Sequence, residues 1–281
     1  VKMNRKTFST PLLYIAAAAL CLAGPAHAAD DTDGWHYEGT FYAWAKSIKG
    51  TSGDTKIDLD FLDDIVDMLD GAFMVSLEAE RGDWSFYGAF EYSDIGDDAR
   101  IERTFDYTLP PPIGVTVPIT AGSKVEFEEQ EYIVDVGVGW AFSESDDTRW
   151  RLLGGAKWFK YDTEVKLGEI KLTGPGGVEL PSVKGRKVDH SEDWWLPYLG
   201  VAVRTQLSDT WRLRARGDYG RRDSDNTSWM LEALFDWRFN DWGALEMGYR
   251  YMEIDYDSGG SDPYIYDVEM KGPVIGLIVR F

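Results

Sequence analysis

The stretch from Trp211 to Arg222 reads Trp-Arg-Leu-Arg-Ala-Arg-Gly-Asp-Tyr-Gly-Arg-Arg and alternates with period two. As an extended strand it puts Trp211, Leu213, Ala215, Gly217 and Tyr219 on one face, and Arg212, Arg214, Arg216, Asp218 and Arg222 on the other. In a membrane barrel the arginine face has to look into the lumen, because an arginine facing lipid near the midplane costs about 2 to 4 kcal/mol. A solvated face of a soluble sandwich is the alternative for this stretch alone, and the rest of the chain discriminates between the two.

The N-terminus carries an export pattern. Lys2, Arg5 and Lys6 precede the apolar run Leu12 to Ala23, and Ala26-His27-Ala28 offers small residues to a signal peptidase, so cleavage after Ala28 is expected. The run is shorter than the roughly 20 residues of a spanning helix. Cys21 would also suit a lipoprotein signal, although Leu20 before it is large for such a site. Residues 1–28 are thus expected to be a signal peptide and residues 29–281 a barrel domain.

Removing residues 1–28 takes away three cations and no acids, moving the formal charge from -20 to -23. So acidic a chain does not bind nucleic acid through a general basic field. No later run is long and apolar enough for a membrane helix. An exported chain of this kind is either soluble outside the inner membrane or crosses the outer membrane as strands.

Alternating segments recur throughout. They run through Trp35 to Lys46, Phe73 to Glu80, Trp84 to Ser93, Glu131 to Phe142, Arg149 to Trp158, Trp195 to Leu207, the arginine strand, Trp229 to Phe239, Leu245 to Tyr251, and Tyr264 to Phe281. The fold class is therefore all-β: a transmembrane antiparallel up-and-down barrel of ten strands, with eight or twelve as the neighbouring even counts. Pro197 fits its segment poorly and predicts a bulge or a loop boundary. In the last segment Tyr266, Val268 and Met270 have one parity while Ile275, Leu277, Val279 and Phe281 have the other, which predicts a bulge at Gly272-Pro273.

Connections alternate in length. Short turns fall at Arg81-Gly82-Asp83, Ser143 to Thr148, Ser208-Asp209-Thr210 and Asn240-Asp241, with tryptophans just after them, and are expected on the periplasmic side. The others are Gly50 to Leu69, Gly96 to Ser123, Glu164 to His190, Asp223 to Asn226 and Asp257 to Pro263. Arg100 to Glu126 and Val165 to Val183 read as protruding hairpins. The first long connection predicts a short helix capped by Asp60, with Phe61, Leu62, Ile65, Val66 and Leu69 on its apolar face, packed on the rim or entering the mouth.

With its export signal, aromatic belts, turn alternation and the ending Val274-Ile275-Gly276-Leu277-Ile278-Val279-Arg280-Phe281, the chain resembles the bacterial outer-membrane β-barrel proteins. Tyr42-Ala43-Trp44-Ala45, Gly50, Gly53 and Asp58-Leu59-Asp60-Phe61 are similar to a mostly uncharacterised, porin-like group of them. That resemblance implies a Gram-negative outer membrane, lipid and lipopolysaccharide as surroundings, and Phe281 as the insertion signal for the barrel-assembly machinery. It implies an address and an architecture, with no activity attached.

On this register the lumen has an acidic wall of Glu38, Glu78, Glu80, Glu91, Glu131 and Asp135. A basic wall faces it, made of Arg149, Arg151, Lys157, Arg204, Arg212, Arg214, Arg216 and Arg222. In a barrel slightly wider than the eight-stranded kind, these walls either meet as a salt-bridged plug or leave a narrow channel for a small solute. Catalysis is not expected. The alternative is a rim hydrolase: Asp189-His190 with Glu192 and Asp193 is compared with omptin-type proteases, and His190-Ser191 with lipid-modifying barrels, but neither spacing fits. No cofactor or metal site is predicted. The acidic stretches Asp54 to Asp70, Asp223 to Asn226, and Asp255-Tyr256-Asp257 with Asp262 lack the spacing of a calcium loop and read as a solvated rim, with Ca²⁺ or Mg²⁺ held by their carboxylates as the alternative.

Overall fold

A computed structural model describes residues 34–281, apart from 54, 66, 67, 109, 111, 113 and 262. The export segment and Val66 therefore lie outside the described residues. The strands are β1 (His36–Trp44), β2 (Ser47–Ser52), β3 (Thr55–Leu59), β4 (Leu69–Arg81), β5 (Trp84–Thr108), β6 (Thr116–Glu144), β7 (Thr148–Leu167), β8 (Ile170–Thr173), β9 (Glu179–Val183), β10 (Arg186–Gln206), β11 (Trp211–Arg221), β12 (Thr227–Arg238), β13 (Gly243–Asp257) and β14 (Ile265–Arg280).

Ten staves follow one another in the order β1, β4, β5, β6, β7, β10, β11, β12, β13, β14, and β14 returns to pair with β1. Every stave pairs antiparallel with its neighbours, so the sheet closes and leaves no edge around its ring. Beyond the ring, β2 continues β1 along β14 and pairs with β3, while β8 and β9 form a hairpin on the tip of β6.

The outward face carries a repeated spacing. Trp84 and Tyr92, Tyr132 and Trp140, Trp150 and Trp158, Trp211 and Tyr219, and Trp229 and Trp237 are each eight residues apart on one face of one strand. At about 3.3 Å per residue that separation is roughly 26 Å along the strand, which at the usual tilt of about 40° is a rise of roughly 20 Å between two aromatic girdles. Apolar residues between the girdles, among them Leu77, Val136, Leu152, Leu199 and Ile275, are exposed. At the girdle nearer the long connections the polar tips of the rings reach carboxylates: Tyr92 donates to Asp94 at 2.9 Å, Trp158 to Asp193 at 3.1 Å and Trp229 to Glu253 at 2.7 Å.

Past that girdle the strands turn inside out. On β13 and β14 the outward residues become Glu253, Asp255, Asp267, Glu269 and Lys271, while Met252, Ile254, Tyr256, Tyr266, Val268 and Met270 are buried inside. This corrects the expected bulge at Gly272-Pro273. Register runs unbroken from Tyr249↔Pro273 through Tyr256↔Tyr266, and the parity of apolar residues changes because the apolar surroundings change from outside to inside the barrel. Pro273 does cost a ladder bond: β1 and β2 share one register along β14 but are interrupted at Ala45-Lys46, opposite the missing donor.

Pro197 is the second correction. It stands inside β10, paired in register with Ala156, with neither bulge nor loop boundary. Its carbonyl points towards Gly220 of β11, so its absent N–H also lies on that side, where the β10–β11 ladder has reached its last pair, Tyr198↔Gly220. The strand continues because that donor had no ladder left to join.

The predicted helix is one short turn, Phe61–Ile65, with Asp60 Oδ1 accepting from the amides of Leu62 at 3.0 Å and Asp63 at 3.4 Å. Ile65 is buried in the apolar interior and Phe61 packs against it, whereas Leu62 is exposed and Leu69 already belongs to β4. The turn thus sends its apolar side into the mouth. Both predicted hairpins form, β5–β6 turning after Thr108↔Thr116 and β8–β9 across Gly174 to Val178.

Candidate functional site

Strand parity sends polar side chains into the lumen of the membrane-spanning half, where they assemble into five groups of ion pairs. At the short-turn mouth, Glu38 takes a forked pair from Arg212, Nη1 to Oε1 and Nη2 to Oε2 both at 2.9 Å, and a third bond from Arg280 Nε at 2.9 Å. Arg212 Nε also reaches Asp236 at 2.7 Å, and Arg214 holds Asp236 at 2.9 Å while pairing with Glu246. Beside them Arg151 and Arg204 enclose Glu78 and Glu80 in four mutual contacts of 3.1, 2.7, 2.8 and 2.5 Å.

One level further in, Arg216 bridges Asp135 at 2.8 Å and Asp218 at 2.9 Å, and Asp218 also pairs with Lys157. The Arg216 guanidinium lies 4.9 Å from the Tyr87 ring centre and 5.2 Å from that of Tyr198, so two aromatic faces flank its charge. Arg250 joins Glu91 and Glu232, each at 2.5 Å, while Tyr42 donates to Glu91 at 2.7 Å. Lys46 pairs with Glu131 at the top of the charged section.

Many of these contacts are chords across the barrel. Arg212 on β11 reaches Glu38 on β1, Arg204 on β10 reaches β4, and Arg250 on β13 reaches β5, each four staves away. Carboxylates and guanidinium groups at such spacing in a low-dielectric interior gain Coulomb energy that desolvation largely offsets. The net effect is space filling and fixed geometry more than stability. Between Tyr87, Glu91, Asp135, Lys157 and Arg250 lies a void of about 10 Å³, room for about one water. A vestibule of about 310 Å³ opens at the short-turn mouth and ends on Arg212, Asp236 and Arg280.

Above the charges lies an apolar layer. Trp194 stacks on Tyr256 at 3.9 Å and packs against Phe159 and Tyr161, and Tyr161 meets Tyr266 at 4.2 Å. Met252, Ile254, Val268 and Ile133 fill the remainder.

Arg151, Lys157, Arg204, Arg212, Arg214, Arg216, Glu38, Glu78, Glu80, Glu91, Glu131 and Asp135 come together in the lumen. Arg149 stands at its short-turn rim, 3.0 Å from Glu144. Arg222 is a correction: β11 ends at Arg221, and Arg222 is exposed in the following turn beside Asp223. The division into an acidic and a basic wall is also coarser than the arrangement found. Asp218 sits on the arginine strand itself, Glu232, Asp236 and Glu246 on the two strands after it, and Arg250, Arg280 and Lys46 carry positive charge among them. Each has the inward parity of its strand, which was the signal available for finding it.

Asp189 and His190 face opposite sides of β10. His190 stacks on Tyr264 at 4.4 Å and stands 3.4 Å from Glu192. Phe281 stacks on Tyr37 at 5.8 Å where the ring closes. Among the described residues no group of three or more His, Cys, Asp or Glu side chains is arranged to hold a metal ion.

The closed ten-stave ring with its long extensions is matched by the outer membrane protease OmpT from Escherichia coli, at 9% identity and a TM-score of 0.57, over 91% of this chain and 99% of OmpT. The chain has the outer-membrane β-barrel fold. Two further barrels align with lower scores: Ail, the attachment invasion locus protein of Yersinia pestis (12% identity, TM-score 0.34, 89% and 99% of the two chains), and the translocator domain of the autotransporter NalP from Neisseria meningitidis (11%, 0.32, 96% and 96%). Residues 126–262 of the barrel match the family described as "Protein of unknown function, DUF481". No curated protein matches the sequence. Likeness at these identities speaks for the fold alone.

Proposed function

We propose that this chain is an outer-membrane barrel with a closed lumen, a structural scaffold that carries its long extensions to the cell exterior and conducts no solute at rest. The observation that carries this reading is the set of cross-lumen chords, Arg212–Glu38, Arg204–Glu78 and Arg250–Glu91, stacked beneath the Trp194 layer. A porin-like channel needs a continuous polar path, and here the polar section is occupied by its own ion pairs.

In this reading the short turns face the periplasm, lipopolysaccharide surrounds the outer girdle, and Phe281 serves the barrel-assembly machinery as the insertion signal. Catalysis finds no support in the rim: His190 is engaged with Tyr264 and Glu192, and Asp189 points away from it. Recording the refolded protein in a planar bilayer tests the closed lumen directly.

A further inference from the structure

The vestibule of about 310 Å³ at the short-turn mouth is lined by guanidinium groups from three strands: Arg212 of β11, Arg238 of β12 and Arg280 of β14. Strand parity brings them there. Asp236 and Arg238 lie two apart on the inward face of β12, with Asp236 opposite Arg212. The Arg238 amide donates to the Thr210 carbonyl and the Arg280 amide to the Trp242 carbonyl, each at 2.8 Å, which ties both backbones to the two neighbouring turns.

Their donors are spent unequally. Arg212 gives Nε to Asp236 and both Nη groups to Glu38, and is fully engaged. Asp236 in turn accepts on both oxygens, from Arg212 and Arg214. Arg280 gives only Nε, to Glu38; among the described residues neither of its Nη groups has a partner, and its side chain is 23% exposed. Arg238 gives Nη2 to the Asp209 carbonyl at 2.5 Å and pairs with no carboxylate among the described residues. At this mouth Arg212, Arg214, Arg238 and Arg280 thus share three inward carboxylates, Glu38, Asp236 and Glu246, and the walls hold one positive charge in excess. Asp241, exposed in the turn between β12 and β13, is the lining carboxylate that no arginine claims.

We propose that this vestibule binds a small organic monocarboxylate, held by the unspent donors of Arg238 and Arg280. A planar guanidinium presents paired donors that match the two oxygens of a carboxylate, and such bonds are charge-assisted. One excess positive charge matches one negative charge. A phosphate dianion would bring a second charge past Asp241 with nothing left to offset it. The volume suits a small organic molecule, and the engaged Arg212–Asp236 pair forms a blind floor. The site is therefore filled from the short-turn side and stands whether or not the lumen conducts.

The test is calorimetric titration of the refolded full chain with acetate, benzoate and N-acetylalanine, and with inorganic phosphate as the competing class. At least one monocarboxylate should saturate a single site, about ten-fold or more tighter than in Arg238→Gln and than in Arg280→Gln. Asp241→Asn, which removes a like charge from the lip, should tighten it. Arg238 lies outside the ion-pair chords, so Arg238→Gln decides the matter if Arg280→Gln fails to give the compact heat-modifiable band. The proposal is overturned if no monocarboxylate saturates, if folded Arg238→Gln binds as wild type does, if Asp241→Asn weakens binding, or if phosphate binds more tightly than all three.

Discussion

Arg212 and Glu38 meet four staves apart as a forked pair, two parallel bonds of 2.9 Å, and Glu38 also holds Arg280 at 2.9 Å. Glu38→Ala leaves Arg280 without its partner and Arg212 with Asp236 alone. Breaking a buried pair from one side costs about 3 kcal/mol. Urea unfolding in lipid, followed by loss of the compact gel band, should show that loss. The double variant Glu38→Ala/Arg212→Ala should lose less than the sum of the two single variants, giving a coupling of at least ~1 kcal/mol.

Glu129 links stability to pH. Burial, reinforced by the like charge of Glu131 and opposed by Lys46, pushes its carboxyl up to about 7 in the folded barrel, against its ordinary value of 4.5 when unfolded, so the folded state binds the extra proton between those values. Stability then falls as pH rises through that window. Glu129→Gln should be more stable than wild type by up to about 3 kcal/mol at pH 8 and indistinguishable at pH 4. Unfolding midpoints across that pH range check both ends.

The seam between β1 and β14 depends on Gly272. A Cβ there would lie 1.9 Å from the Ala45 carbonyl oxygen, a backbone atom that cannot yield. Gly272→Ala should prevent closure and abolish the heat-modifiable band. Gly88→Ala, where a Cβ meets nothing within 4 Å, should fold as wild type does and serves as the control.

Trp194 is 2% exposed and stacks on Tyr256 and Phe159. Trp194→Ala should cost about 3 to 5 kcal/mol in the unfolding assay, whereas Leu62→Ala on the exposed side of the helical turn should stay within about 0.5 kcal/mol.

Period-two alternation was enough to read the ten staves, the short-turn and long-connection ends and the inward direction of Arg212, Arg214 and Arg216. It worked because lipid punishes a misplaced arginine and so leaves one register. Above the girdle that constraint ends, and Tyr266, Val268 and Met270 face inward on the parity that Val274, Ile278 and Arg280 keep below. Adjacent pairs such as Trp194-Trp195 and Trp158-Phe159, apolar on both faces, mark the crossover. Partner choice was not legible: alternation puts Asp236 and Arg250 inside, but only closure of the ring brings Arg250 to Glu91 and Glu38 to Arg212. The prolines misled because alternation does not tell on which side of a strand a missing N–H falls.

The closed lumen is tested most directly by single-channel recording of the refolded wild-type protein in a planar bilayer. The ion-pair chords and the Trp194 layer predict no steady current at moderate voltage. A stable ohmic conductance in wild type, altered in size or ion selectivity by Arg212→Ala/Arg214→Ala/Arg216→Ala, would contradict it.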